Sequence, residues 1–169
     1  MSRTIDTFQN FYKEGREGET FRFSQVVENL ELLLSETLAL GSVKLAVRVE
    51  PEDLACKGNM NALAQVLLSL MQNSIHFLGT RNVQAPEIAL RIGREEGGIR
   101  LEVEDNGGGI DPKVIPHIFD YHVSSREEGP RSTGIGLGIS KAIVEEKFRG
   151  SIRAKNTDKG ALFTILLPV

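Results

Sequence analysis

A glycine-rich run near residue 131 has the composition of a phosphate-binding segment. In the stretch RSTGIGLGIS, residues 131–140, Gly134, Gly136 and Gly138 alternate with apolar residues and lead into a helical pattern. The first N–H groups of a helix are free donors that favour anions. The spacing differs from both the P-loop and the dinucleotide fingerprint. The polar residues 124–133 before it predict a mobile lid that delivers the glycine N–H groups to phosphate.

An aspartate followed by glycines forms a second candidate site. In EDNGGGIDP, residues 104–112, Asp105 ends a predicted strand and glycines follow at 107–109. Three consecutive glycines indicate close approach by something flat or bulky. An aspartate before a glycine turn is also typical of an Asx-turn, so both interpretations of Asp105 stay open.

A third group of polar side chains borders an apolar helix, NALAQVLLSLMQNSIHFL, residues 61–78. Ser69, Asn73 and Phe77 follow one another at intervals of four residues along one edge of its apolar stripe, with His76 beside them. An asparagine here could be a solvated edge residue. Its amide oxygen could also bind a hard cation such as Mg²⁺, which takes few protein ligands when phosphates supply the rest.

Three helices are predicted from apolar periodicity and from their end signals. The second helix carries the polar edge just described, and the third follows the glycine-rich run. The predicted bounds are Ser24 (N-cap) to about Leu40 before Gly41, about Met60 to Leu78 between an Asn59 cap and a Gly79 stop, and about Gly136 to Phe148.

The strands predict the fold class. Alternating apolar residues indicate strands near 21–23, 43–49, 88–92, 99–103, 151–155 and 161–167, with a loop-rich region over 105–135. At least two hairpins must be antiparallel, which predicts an α+β fold: a two-layer α/β sandwich with a mixed, mostly antiparallel sheet and three main helices on one face. The other face should be solvated, since it would carry Lys44, Arg48, Arg91, Arg100, Glu102 and Arg153.

Composition narrows the class of protein. The chain has 169 residues, of which 40% are apolar and 25% charged, as in soluble globular domains. A net charge of −3 gives no electrostatic footprint for nucleic acid, so no nucleic-acid partner is expected. The single cysteine, Cys56, excludes an internal disulfide framework and fits a reducing cytosol, which predicts a cytoplasmic location.

Taken together, these segments resemble the catalytic ATP-binding domain of bacterial two-component sensor histidine kinases, within the gyrase, Hsp90, histidine kinase and MutL ATPase superfamily. The resemblance covers about residues 20 to 168. LAQVLLSLMQNSIHFL is similar to the family's N box, DNGGGI to its first glycine box, IFDYHVSSR to its F box, STGIGLGIS to its second glycine box, and GALFTILLP to its closing glycine and strand.

The resemblance implies a Bergerat-type ATP-binding fold over residues 19–169. Residues 1–18 would be the end of the preceding dimerisation helix and a linker. Asn73 would be the catalytic Mg²⁺ ligand between the phosphates, Asp105 would accept a hydrogen bond from the adenine amino group, and Phe77 would pack on the base. The other implied ATP-binding residues are His76, Gly107, Gly109, Ile110, Ser124, Ser125, Arg126, Gly134, Gly136, Leu137, Gly138 and Thr164, the last helping to close the adenine pocket.

The chain departs from the family pattern at several positions. Ser69 stands where these kinases often have a second asparagine and where the hydrolytic relatives have a glutamate base. His76 replaces a lysine or arginine that reaches the phosphates, which implies weaker phosphate binding. Tyr121 and His122 replace the usual proline and aromatic residue of the F box.

The implied function is transfer of the ATP γ-phosphoryl group to a histidine. His76, His117 and His122 all lie inside the ATP domain, so the acceptor is expected on a dimerisation domain of the same parent kinase, absent from this chain. The parent would be a homodimer, with or without a membrane anchor, that relays the phosphoryl group to the receiver domain of a response regulator. The alternatives are a hydrolytic ATPase of the gyrase or Hsp90 type and a degenerate, non-catalytic docking domain.

Overall fold

A computed structural model describes residues 18–120 and 134–169, with the backbone alone for residues 134–136. Within these residues the chain forms seven strands, three helices and a 3-10 turn. In chain order they are β1 (Thr20–Arg22), α1 (Phe23–Leu40), β2 (Lys44–Glu50), β3 (Ala55–Lys57), α2 (Met60–Thr80), β4 (Glu87–Glu95), β5 (Gly98–Asp105), the 3-10 turn Ile115–His117, α3 (Gly134–Phe148), β6 (Ser151–Asn156) and β7 (Ala161–Pro168).

Five strands form one mixed, mostly antiparallel sheet, as the sequence predicts. Their order is β2-β4-β5-β7-β6; β2 and β4 run parallel, and the other neighbours run antiparallel. The β4–β5 hairpin turns at Gly97, whose φ of +82° favours glycine. A second, two-stranded sheet joins β1 to β3. The predicted strand near 21–23 ends one residue earlier than expected, because Phe23 begins α1. The sequence did not predict β3, because Ala55, Cys56 and Lys57 include no β-branched or aromatic residue.

The three helices cover one face of this sheet, and α2 is the central one. It packs against both α1 and α3, and its stripe of Leu63, Val66, Leu67 and Leu70 is fully buried. The strands contribute alternate residues to the same core, such as Leu101 and Val103 of β5 and Phe163 and Ile165 of β7. None of the helices in the described part of the chain is long and apolar enough to cross a bilayer.

Three helix boundaries differ from the sequence prediction: the starts of α1 and α3 and the end of α2. Helix α1 begins at Phe23, with Arg22 as its N-cap, so the predicted Ser24 cap is wrong. The side-chain oxygen of Gln25 accepts the Arg22 N–H at 2.9 Å, so the third residue of the helix satisfies the backbone donor of the N-cap residue. The C-cap at Gly41 is confirmed.

Helix α2 begins as predicted and ends later. The Asn59 side chain accepts the Ala62 N–H at 3.0 Å, which confirms the predicted N-cap. The helix then passes through Gly79 to Thr80, and Arg81 is its C-cap. The predicted stop at Gly79 is therefore wrong, and the extra residues carry Arg81 to the edge of the candidate site described below.

The opposite face of the sheet carries charged side chains, as predicted. Arg91 bridges Glu102 at 3.2 Å and Glu104 at 3.0 Å across neighbouring strands. Burial opposes the charged form of Glu104, but hydrogen bonds from Thr157 and Arg91 outweigh it and lower the pKa of this carboxyl. Arg48 pairs with Glu50 at 2.9 Å on the same face, where both side chains are largely exposed.

Candidate functional site

Asp105 is the buried anionic group around which the site forms. It ends β5 on the face covered by the helices and is only 8% exposed. Its Oδ1 accepts the N–H of Gly107 at 2.9 Å and of Ala161 at 3.3 Å, and its Oδ2 accepts the Ser74 hydroxyl at 3.1 Å. The carboxylate is thus fixed by a loop, a strand and α2 together. The Gly107 bond is also that of an Asx-turn, so the two interpretations of Asp105 are compatible.

The glycine loop, residues 107–109, has a conformation that side chains would disturb. Gly108 and Gly109 have φ values of +88° and +93°, in the region that L-residues rarely adopt. A Cβ on Gly109 would lie 2.8 Å from Oδ1 of Asn156, and one on Gly107 would lie 3.1 Å from Oδ1 of Asp105. The loop therefore needs glycine for its own backbone and for its close neighbours.

Two side chains from distant segments hold this loop by its backbone. Nη1 of Arg81 donates to the carbonyl oxygens of Gly107 at 2.7 Å and Gly109 at 2.5 Å. The Asn156 side chain accepts the N–H of Ile110 at 2.7 Å and donates to its carbonyl at 2.8 Å. Sequence reasoning missed both residues, because Arg81 followed a predicted helix stop and Asn156 belonged to a predicted turn.

The closing glycine of the last hairpin lies directly over Asp105. A Cβ on Gly160 would stand 2.3 Å from the Asp105 carbonyl oxygen, 2.6 Å from its Oδ1 and 2.8 Å from the Gly107 nitrogen. Only a residue without a side chain allows this approach. It brings the next residue, Ala161, to the carboxylate through its backbone N–H.

Helix α2 carries the predicted polar residues and contacts the carboxylate through Ser74. Asn73, which is 5% exposed, immediately precedes Ser74 in this helix. Phe77 is half-buried one turn later, and the exposed His76 ring meets it edge-on at 5.4 Å. Ser69 is half-buried one turn before Asn73.

The donor set limits what metal this site could hold. The described residues contain no group of three or more histidine, cysteine or acidic side chains placed to bind a metal ion. A cation between Asn73 and a ligand's phosphates would take the neutral amide oxygen and phosphate oxygens. That donor set fits Mg²⁺, a hard cation that often uses few protein ligands.

One predicted site residue lies on the wrong side of the sheet. Thr164 pairs with Glu102, and its neighbours Phe163 and Ile165 are both buried in the core. Side chains alternate along a strand, so Thr164 points to the charged outer face and cannot close a pocket around Asp105. The prediction for Thr164 is wrong, and Ala161 is the β7 residue that reaches the site.

The remaining predicted residues divide into two groups. Ser124, Ser125, Arg126 and the proposed lid lie outside the described residues. Helix α3 begins at Gly134, two residues before the predicted start, so all three glycines lie at its N-terminal end. Leu137 is 2% exposed and belongs to the hydrophobic core. Ile110 is half-buried and packs against this core, and its backbone N–H donates to the Asn156 side chain.

Residues 58–169 match the model of the histidine kinase-, DNA gyrase B-, and HSP90-like ATPase family. The two-component sensor PprA of Pseudomonas aeruginosa is 32% identical over 143 residues, which are 81% of this chain and 15% of that protein. The C4-dicarboxylate transport sensor protein DctB of Rhizobium meliloti is 33% identical over 164 residues, 96% of this chain and 25% of that protein. The chain thus spans a quarter or less of the length of these relatives.

Solved structures share the fold. The nucleotide-free catalytic domain of the histidine kinase ThkA superposes with a TM-score of 0.80 at 24% identity, covering 90% of this chain and 96% of that one. ThkA in complex with the response regulator protein TrrA superposes with a TM-score of 0.76 at 21% identity, covering 98% of this chain and 46% of that one.

Proposed function

Because the chain belongs to the family of histidine kinase-, DNA gyrase B- and HSP90-like ATPases, we propose that it is the ATP-binding catalytic domain of a sensor histidine kinase. Its substrate is ATP, and its acceptor is a histidine on a dimerisation domain outside this chain. The phosphoryl group then passes to the receiver domain of a response regulator. Relatives named as two-component sensors support this assignment.

The proposal rests on one observation, the set of hydrogen bonds that the Asp105 carboxylate accepts. An ionised carboxylate offers about four acceptor positions. The N–H groups of Gly107 and Ala161 and the hydroxyl of Ser74 occupy three of them. Among the described residues, about one acceptor position therefore remains for a ligand donor, and the amino group of adenine is such a donor. Guanine presents a carbonyl oxygen at the corresponding position, which would repel the carboxylate.

The phosphate end of the nucleotide is assigned to the α2 edge that carries Asn73. There Mg²⁺ would offset part of the negative charge of the phosphates, with the Asn73 amide oxygen as its protein ligand. Ser69, one turn earlier, has no acidic group to take a proton from water near neutral pH. This favours phosphoryl transfer to an incoming histidine over rapid hydrolysis, because transfer depends mainly on positioning and charge neutralisation.

Phosphoryl transfer in trans tests the proposal. The chain would be mixed with Mg²⁺, γ-labelled ATP and the dimerisation helices of its parent kinase, and acid-labile label on the helix histidine would be counted. Label should appear with the wild-type chain and fall strongly with Asn73→Ala. Gln72→Ala is the matched control, since it removes an exposed carboxamide from the neighbouring position of α2.

Two results would contradict the assignment. If the chain binds ATP but transfers no label to the histidine, the assignment as a kinase domain is rejected. Rapid phosphate release by the chain alone, abolished by Asn73→Ala, would instead favour the hydrolytic relatives.

A further inference from the structure

Arg81 lies outside every residue group expected to bind the nucleotide, yet it contacts two parts of the candidate site. Its Nη1 bonds the carbonyls of Gly107 and Gly109, and its guanidinium carbon lies 5.0 Å from the centre of the Phe77 ring. We propose that Arg81 is a positioning residue that holds the glycine loop and the Phe77 ring together in the geometry that receives adenine. This inference rests on the proposed function.

The loop needs an external group to fix it. Three consecutive glycines have no side chains of their own to pack, and glycine loses more conformational freedom on ordering than any other residue. Nη1 of Arg81 bridges two carbonyls that are two residues apart and thereby sets the orientation of the peptide groups that follow Gly107 and Gly109. Charge-assisted hydrogen bonds of this kind are stronger than neutral ones.

The fixed loop in turn orients the carboxylate. Both backbone polar groups of Gly107 form hydrogen bonds: its carbonyl oxygen accepts from Nη1 of Arg81, and its N–H donates to Oδ1 of Asp105. If the guanidinium is lost, the Gly107 peptide gains freedom, and the remaining acceptor position of Asp105 is less well aimed. Recognition of the base should then weaken even though Arg81 need not touch it.

The same guanidinium fixes the aromatic ring. Phe77 and Arg81 are four residues apart, so they lie on one face across the last turn of α2. The separation of 5.0 Å is within the range of cation–π attraction. One side chain thus couples the ring expected to pack on the base with the loop expected to border it.

Capping of the helix is a separate role that the backbone fulfils. The N–H of Arg81 donates to the carbonyls of Phe77 and Gly79 whatever the side chain. Substitution of the side chain therefore tests the loop and ring contacts without removing the cap. Lysine keeps the charge but lacks the planar group that stacks on a ring, so it should restore only part of the effect.

The test compares Arg81→Met and Arg81→Lys with Arg153→Met, which removes an exposed guanidinium from the edge strand β6. Calorimetric titration would give Kd for ADP and for GDP, and thermal unfolding would be measured on each variant. Arg81→Met should bind ADP about tenfold more weakly, which corresponds to about 1.4 kcal/mol. Its preference for ADP over GDP should fall, and its dependence on Mg²⁺ should persist. Arg81→Lys should be intermediate, and Arg153→Met should match the wild type.

An unchanged ratio of the two Kd values in both Arg81 variants would overturn the inference. A lower unfolding temperature with that ratio unchanged would show a merely structural role and would also overturn it. If Arg81→Met fails to fold, the lysine variant still decides between these outcomes. A wild-type chain that binds neither nucleotide would reject the proposed function itself, which is a distinguishable result.

Discussion

At the scale of single residues, Asp105 combines a structural and a binding role. In the part of the chain that the structure describes, three donors from three segments hold its carboxylate, which leaves about one acceptor position for a ligand. Asp105→Asn keeps the shape of the side chain and an oxygen for the loop. It replaces the other oxygen with a donor that repels the adenine amino group. We expect adenine-nucleotide binding to weaken by about 1–3 kcal/mol, the cost of losing a buried partner.

Titration with a fluorescent adenine nucleotide measures this loss. Asp111→Asn is the matched control, because Asp111 is an exposed aspartate just beyond the glycine loop. Its Oδ1 accepts only a local hydrogen bond, from the N–H of Lys113. The control should bind like the wild type. Equal binding by the Asp105 variant would show that Asp105 does not read the base.

Alanine substitutions at Gly160 and Gly79 test whether the close approach of Gly160 to Asp105 matters for stability. A methyl group at position 160 has no room, because it would meet the backbone and carboxylate of Asp105 at 2.3–2.6 Å. At position 79, inside α2, nothing lies within 4 Å of the added carbon. Gly160→Ala should therefore destabilise the fold by more than 1 kcal/mol and weaken nucleotide binding, whereas Gly79→Ala should stabilise it by about 0.5–1 kcal/mol.

Chemical denaturation gives the free energy of unfolding for both variants. The Gly79→Ala protein should bind nucleotide like the wild type. Equal stability of the Gly160→Ala protein and the wild type would show that the close approach over Asp105 has no energetic importance.

At the scale of elements, the sequence predicts several local signals correctly, though not the Ser24 cap or the Gly79 stop, and it predicts none of the long-range contacts of Arg81 and Asn156. The Asn59 cap involves a residue three positions away and was predicted. The contacts of Arg81 and Asn156 join residues 26 to 46 positions apart and involve backbone groups, which every residue type carries. No residue type or spacing marks such a contact in the sequence.

The error at Thr164 has a different origin. The neighbours Phe163 and Ile165 are apolar and alternate with it, so the sequence already indicated that Thr164 faces away from the core. The family resemblance implies a pocket-closing residue in this strand, but its position is 161 rather than 164. The sequence also contained the evidence for the correct residue, since Ala161 has the same parity as Phe163.

The ion pairs of Arg91 with Glu102 and Glu104, on the outer face of β4 and β5, predict that the stability of the fold depends on pH. The pKa of Glu104 is lowered from the ordinary value of 4.5 in the folded chain, so this residue stabilises the fold fully above 4.5, and the effect is lost as the pH falls through the lowered pKa. Glu104→Gln should lower the free energy of unfolding at neutral pH, and the difference from the wild type should shrink at acid pH.

Denaturation at a series of pH values between about 3 and 7 measures this difference. Glu96→Gln in the exposed β4–β5 turn is the control and should follow the wild type throughout. A Glu104→Gln deficit that stays constant down to the lowest pH would contradict the lowered pKa.

At the scale of the whole molecule, the chain is expected to hold ATP without completing the reaction alone. His76 is exposed on α2, Nδ1 of His117 lies 3.1 Å from Oδ2 of Asp120, and His122 lies outside the described residues. None of the three is expected to be the acceptor, because the proposed acceptor lies on a dimerisation helix and is followed by an acidic residue. Incubation with γ-labelled ATP should therefore give no acid-labile phosphate on the isolated chain. Its appearance there would place the acceptor inside the chain.

Nucleotide binding itself is the most direct test of the central claim, that this site holds ATP through its base and its phosphates. Calorimetric titration of the wild-type chain with ADP would be carried out in Mg²⁺ and again in excess chelator. The proposed function predicts binding of one ADP per chain, tighter with Mg²⁺, and Asn73→Ala should remove the difference between the two conditions. Absence of ADP binding at millimolar concentrations, or binding that Mg²⁺ and Asn73→Ala leave unchanged, would contradict it.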